Sequence, residues 1–163
     1  MRAAVLLMLV LIAGPAAADE AARLPVADFI RVDKSDRTLT LYADGRAYHR
    51  ITGLQFGAQP RGHKRFEGDE RTPEGLYTID YGNPRSAYRL SLHIDYPNAA
   101  DRAYAAARGR SPGGEIFIHG QPNLLPFGRL PGDWTDGCIA VSNAEIEALW
   151  QMVPDGTPIE IRP

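Results

Sequence analysis

Cys138 is the only cysteine of the 163-residue chain, and a glycine, Gly137, stands directly before it. Nineteen residues upstream, the apolar run Ile116-Phe117-Ile118 ends on His119 and Gly120. A thiol attacks as its thiolate, so a nucleophilic cysteine needs a neighbouring base or positive partner. A histidine can take the thiol proton and later return it to a leaving amine. Gly137 removes Cβ bulk and permits unusual backbone angles. The amides of Gly137 and Cys138 can then face the oxygen of an attacked carbonyl, as in an oxyanion hole. The carbonyl of Gly120 is free to accept the Nδ1 proton of His119 and so fix its tautomer, the part played by the third member of a triad. The competing readings are an inert buried cysteine and two turn glycines. Spacing alone does not join the two side chains; the elements around them must.

Phe29 to Asp33 and Thr38 to Tyr42 alternate apolar and polar residues around Lys34-Ser35-Asp36-Arg37, which predicts strand, turn and strand. Asp44-Gly45 is a further turn signal, with the next strand over Ala47 to Leu54. Gly57 to Glu74 is rich in Gly, Pro and charge and reads as a long functional loop. Leu76 to Asp80 and Tyr88 to Ile94 read as strands, and Ala99 to Arg108 as a short helix capped by Asn98. Glu115 to Ile118 is a brief strand that delivers His119. Gly120 to Trp134, with three prolines and three glycines, reads as an irregular connector or lid. Ser142 to Glu145 has the Ser-x-x-Glu form of a capping box, opening a helix through about Val153. Pro158 to Arg162 is the last strand. Many short strands and few helices predict a mainly β fold, a sandwich or partly closed barrel with one or two short helices.

The N-terminus has a different character. Met1-Arg2, the apolar run Ala3 to Ala13 and Ala16-Ala17-Ala18 have the order of a secretory signal peptide cleaved after Ala18. The run is too short to span a bilayer comfortably. The expected organisation is a signal at 1–18, a connector at 19–28 and one catalytic domain at 29–163. The mature protein is expected to be periplasmic, without stable membrane insertion. A formal net charge of −2 and a pI near 6.1 offer no basic face for nucleic acid. A lone thiol in an oxidising compartment cannot form an internal disulfide, so it is either buried and inert or kept for its reactivity, and the local sequence has to decide.

The pattern His119-Gly120, a fourteen-residue spacer and Thr135-Asp136-Gly137-Cys138 resembles the YkuD-type L,D-transpeptidase catalytic domain. Arg71-Thr72-Pro73-Glu74-Gly75-Leu76-Tyr77 is similar to that family's Arg-Thr-Pro-x-Gly-x-Tyr segment. Tyr96-Pro97-Asn98, Asp133-Trp134-Thr135 and Gly156 to Ile161 fit its periplasmic branch, so the resemblance covers about Phe29 to Ile161. It implies a mostly β fold with Cys138 as nucleophile, His119 as base and Gly120 as the orienting carbonyl. Gly137 and Cys138 would supply the oxyanion amides. The implied substrates are peptidoglycan tetrapeptide stems, cut between diaminopimelate and the terminal D-alanine through a thioester, with no metal or organic cofactor. A wall-linked lipoprotein is a second partner that the resemblance leaves open.

The chain departs from the best-known motif in carrying Asp136 where many members have His, and Ala140 where many have Arg. The first adds a negative charge beside the thiol. The second removes a positive charge that would hold a carboxylate. Both changes bear on the acceptor and the exact substrate, and resemblance to the branch with this Gly-Cys-Ile-Ala signature implies an alternative activity, hydrolysis by an L,D-carboxypeptidase or an amidase acting on wall peptides or wall–lipoprotein links. Arg71 and Arg129 are the candidates to replace the missing arginine, and Trp134 is a candidate groove wall. His63, His93, His119 and Cys138 match no compact zinc pattern, and a thiol redox cycle lacks its resolving cysteine. His93 reads as a hydrogen-bonded structural residue, whereas His49 and His63 have no sequence neighbours that assign them a role.

Overall fold

The computed structural model describes residues 25–125 and 127–163. The expected signal peptide and most of the connector lie outside the described residues. At Ala27 the chain is already docked: its side chain is buried and its amide donates to the Met152 carbonyl at 2.7 Å.

The strands are β1 (Phe29–Asp33), β2 (Thr38–Ala43), β3 (Arg46–Thr52), β4 (Gly75–Asn83), β5 (Ser91–Ile94), β6 (Ile116–His119), β7 (Ile139–Ala140) and β8 (Thr157–Arg162). Two helices, α1 (Ala99–Ala106) and α2 (Asn143–Met152), complete the described elements. All eight strands join one sheet in the order β3-β2-β1-β8-β4-β5-β6-β7, curled into a half-barrel. The β1–β8 and β6–β7 pairs are parallel and the others antiparallel. This is the partly closed barrel that the strand pattern predicts.

Period-two alternation places Ile30 and Val32, Leu39 and Leu41, Ile116 and Ile118, and Ile159 and Ile161 in the core. Each such side chain, fully buried, contributes roughly 1.5–3 kcal/mol. Helix α2 adds Ile146, Leu149 and Met152 from one face. The turn after β1 is closed by the Asp33 carboxylate, which accepts from Ser35 Oγ and the Asp36 amide at 2.8 Å. Asp44 and Gly45 both take positive φ, +51° and +72°, as the tight hairpin between β2 and β3 requires. Both helices begin with reciprocal caps, Asn98 with Asp101 and Ser142 with Glu145.

Two boundaries differ from the periodicity. The predicted strand at Tyr88 starts only at Ser91, because Arg89 takes a φ of +68° and the Leu90 amide turns back to the Tyr88 carbonyl. The backbone at 87–89 pairs instead with Asn123, whose amide donates to the Ala87 carbonyl and whose Oδ1 accepts from the Arg89 amide. Strand β4 runs to Asn83, through an irregularity between Ile79 and Gly82 that re-aims its end.

Candidate active site

The parallel pair β6–β7 brings the two chemical residues together. Its register sets Ile118 beside Ile139 and His119 beside Ala140, so one step back Phe117 lies beside Cys138. Consistent with that step, the Phe117 amide donates to Cys138 Sγ at 3.4 Å, and the thiol donates to the Glu115 carbonyl at 3.5 Å. With the period of two, Cys138 and His119 open on the same face of the sheet. Both line a groove of about 510 Å³ walled by the turn at 83–88 and by Trp134 to Asp136. The thiol rests on the strand backbone, not on the imidazole.

His119 is 3 % exposed, and its Nδ1 lies 2.7 Å from the Gly120 carbonyl. A carbonyl only accepts, so Nδ1 carries the proton and Nε2 is left as the unprotonated nitrogen. Burial holds the imidazole below its ordinary pKa, against a smaller opposing effect of the Gly120 hydrogen bond. The ring is also boxed in: Tyr88 lies 4.6 Å away, tilted by 31°, and Trp134 meets it edge-on at 5.5 Å. A Cβ on Gly120 would stand 2.6 Å from Asn143 Oδ1 and 3.0 Å from Ile146 Cγ2, so a larger residue there would displace side chains of α2.

The Cys138 thiol is pushed up to about 11, chiefly by burial, and the Asp136 charge adds to that rise. The Phe117 amide and Lys64 oppose it. At neutral pH the resting pair is therefore a neutral thiol and a neutral imidazole, not an ion pair. Asp136 is exposed on the groove wall.

The turn before Cys138 is fixed from behind. Gly137 has φ +130°, and a Cβ there would come within 2.6 Å of the Arg71 carbonyl. Thr72 Oγ1, fully buried, donates to the Gly137 carbonyl at 2.9 Å. Thr135 Oγ1 accepts from the Gly137 amide at 3.3 Å and donates to the Cys138 carbonyl at 2.8 Å. The Gly137 amide thus has a long, replaceable bond to a hydroxyl in the resting site.

The long loop that carries Thr72 is in turn anchored to the sheet. Lys34 Nζ, 6 % exposed as a residue, donates to the Gly62 and Thr72 carbonyls and pairs with Glu74 at 2.7 Å. The Glu74 amide donates to His63 Nδ1, which leaves the Nε2 proton for Asp101 Oδ1 at 2.8 Å. His63 is thereby a structural bridge between this loop and α1. On the other side of the groove, Gln121 anchors the connector. Its Nε2 donates to Gln55 Oε1 and the Val141 carbonyl, while its Oε1 accepts from the Leu130 amide.

The expected arginines lie elsewhere. Arg129 pairs with Glu145 and hydrogen-bonds the Gly53 carbonyl, and the Arg71 guanidinium lies beside Gly62. Neither borders the groove; Arg85, exposed in the turn after β4, does. Trp134 does wall the groove, and its buried Nε1 has no hydrogen-bond partner among the described residues. His93 is held by Asp80, Nδ1 to Oδ1 at 2.5 Å. Among the described residues, no three His, Cys, Asp or Glu side chains cluster as a metal site. Tyr88, Thr72 and Arg85 are the residues that sequence reasoning passed over. The Arg-Thr-Pro segment singles out Thr72, but nothing local marks Tyr88.

Comparison with known proteins gives a consistent answer. The YkuD family model, an L,D-transpeptidase catalytic domain, matches residues 27–161. YafK of Escherichia coli (strain K12) is 30% identical over 133 residues, covering 77% of this chain and 46% of that protein. The crystal structure of the helical cell shape determining protein Pgp2 from Campylobacter jejuni is 31% identical with a TM-score of 0.67. That match covers 83% of this chain and 47% of Pgp2. An L,D-transpeptidase from Mycobacterium smegmatis shares the fold at 16% identity and a TM-score of 0.55, over 84% of this chain and 59% of that one. The chain spans about half the length of YafK and of Pgp2. Matched from residue 27 to residue 161, it belongs to the YkuD family of L,D-transpeptidase catalytic domains.

Proposed function

We propose that this chain is a cysteine-dependent L,D-transpeptidase that acts on peptidoglycan tetrapeptide stems through a thioester on Cys138. The observation that carries the reading is the β6–β7 register, which opens Cys138 and a His119 of fixed tautomer onto one groove. Because both groups are neutral at rest, His119 Nε2 takes the thiol proton as sulfur attacks the diaminopimelate carbonyl. The amide of Cys138, joined by that of Gly137 as it leaves Thr135 Oγ1, donates to the oxyanion. Collapse breaks the peptide bond, and the His119 proton goes to the departing D-alanine nitrogen. An incoming amine then loses its proton to His119, attacks the thioester and returns the thiol. Arg85, at the groove edge, takes over from Arg71 and Arg129 as the candidate to hold a stem carboxylate.

A second reading rests on Asp136, which borders the groove beside the nucleophile. A carboxylate there suits activation of water, so that the thioester is hydrolysed and the chain acts as an L,D-carboxypeptidase. The same chemistry on a wall–lipoprotein link would make it an amidase. The relatives are cell-wall proteins, and Pgp2 determines cell shape; we place this chain in the periplasm with a role in wall organisation. No described helix is long and apolar enough to cross a membrane. Incubation with purified disaccharide-tetrapeptide and an added D-amino acid separates the activities. Exchanged stems or dimers are the transpeptidase result, tripeptide alone is the carboxypeptidase result, and unchanged substrate contradicts both.

A further inference from the structure

The face of the sheet that holds the nucleophile carries a second feature that the chemistry does not use. Cys138 lies beside Phe117, Phe117 is registered with His93, and the irregular end of β4 sets Tyr81 on the far side of His93. From Cys138, just before β7, the side chains run over β6, β5 and the end of β4 in a row that curls back, with Tyr81 meeting Phe117 edge-on at 6.1 Å. The rings touch along it. Phe117 meets His93 at 4.8 Å and 65°, and Tyr81 stacks on His93 at 4.6 Å and 19°. Phe117 lines the groove, so the row continues its floor outward to Tyr81, which is 40% exposed.

Carboxylates flank the outer end. Asp80 hydrogen-bonds His93 and orients its ring, and Glu115 is exposed at the start of β6. Asp80 is also the chain neighbour of Tyr81, and burial, with the Asp80 and Glu115 charges adding to it, holds the Tyr81 phenol above its ordinary value. A flat, part-exposed aromatic ring with carboxylate acceptors beside it matches the chemistry of a sugar: the apolar C–H face stacks on the ring and the hydroxyls donate to the carboxylates.

The distances agree with the stem substrate. Neighbouring strands are about 4.8 Å apart, so three backbone steps span about 14 Å at most, and the Tyr81 ring, 6.1 Å from that of Phe117, lies nearer to Cys138 than that. The reacting carbonyl of a stem is on its third residue. Three extended residues reach about 10 Å, and the lactyl group that joins them to the sugar extends this by a few ångströms. A stem with its carbonyl at Cys138 therefore brings its own amino sugar over Tyr81.

We propose that Tyr81, stacked on His93 and flanked by Asp80 and Glu115, is a subsite for an amino-sugar ring of the donor glycan strand. The proposal rests on the stem-peptide reading of the groove. It makes the chain a reader of glycan-attached stems in preference to free peptides.

Two measurements test it. The first is chemical-shift mapping of the isotope-labelled wild-type protein with a peptide-free β-1,4-linked amino-sugar tetrasaccharide. Shifts are expected at Tyr81, His93 and Phe117, absent in Tyr81→Ala and retained in Tyr81→Phe. No shifts, or shifts that Tyr81→Ala leaves in place, overturn the subsite, and the wild-type map alone is decisive if that variant fails to fold. The second compares KM for disaccharide-tetrapeptide and for the free tetrapeptide. Tyr81→Ala is expected to raise the first about five- to tenfold, the scale of one aromatic contact, with kcat and the second unchanged. Equal effects on the two substrates count against the subsite. Sugar binding without any turnover of tetrapeptide by the wild type would leave the subsite standing and remove the transpeptidase reading.

Discussion

Cys138 and His119 differ from a preformed thiolate–imidazolium pair in a way that can be measured. The thiol is pushed up to about 11 and the imidazole is held low, in each case chiefly by burial. The thiol therefore stays protonated well past the ordinary cysteine value of about 8.5. Alkylation by iodoacetamide should keep rising with pH beyond 9, and a plateau near pH 8 would contradict this. Asp136→Asn removes a charge that raises the thiol pKa, so it should speed alkylation at fixed pH by roughly two- to fivefold. Because the base must be neutral, the acid limb of the acylation rate should have its midpoint below about 6.5. The sign is the same for stability. A histidine whose folded pKa is depressed stays neutral while the unfolded chain takes up a proton, so stability falls as pH drops below about 6.5. Replacing His119 with Gln should flatten that slope in thermal unfolding. Arg85→Ala should raise KM about tenfold with little change in kcat, and an unchanged KM would remove Arg85 from the site.

At the scale of elements, the site depends on a loop with no regular structure. Thr72 Oγ1 is fully buried against the Gly137 carbonyl, so Thr72→Val leaves that acceptor unpaired at a cost of about 1–3 kcal/mol. It should lower kcat by about tenfold while KM changes less, because it moves the oxyanion donors and not the groove walls. Gly137→Ala meets both a φ of +130° and the Arg71 carbonyl at 2.6 Å, and should be inactive with a lowered Tm. The strands, both helix caps and the Gly57 to Glu74 loop were readable in the sequence because alternation, Asn98, Ser142 and the Pro and Gly content are local signals. Strand β7 was not, since two residues carry no period and their pairing is decided by β6. The turn at Tyr88 was hidden for a related reason. Its residues are β formers, and the left-handed Arg89 is stabilised by Asn123, more than thirty positions away.

For the molecule as a whole, sheet, loop and helix converge on Asp101. It is buried, accepts from Tyr77 Oη and the Asn98 amide, and receives the Nε2 proton of His63. Asp101→Ala leaves those donors unpaired and removes the reciprocal half of the α1 capping box, so it should cost roughly 3–5 kcal/mol, read as a lower urea midpoint. Cys138, His119 and their glycines stand out in the sequence because each has a chemical reason for its type, and the β6–β7 register opens Cys138 and His119 onto one groove. The misplaced arginines show the limit: Arg71 and Arg129 are near the site in sequence, but their charges turn to Gly62 and Glu145, while Arg85 arrives through the end of β4. The central claim is that this fold delivers Cys138 as an acylating nucleophile. Intact-protein mass spectrometry with disaccharide-tetrapeptide tests it most directly, with Cys138→Ala run in parallel. The account predicts a covalent adduct equal to the substrate less alanine, on the wild type alone. Released products with no adduct on the wild type, or an adduct that persists in Cys138→Ala, would contradict it.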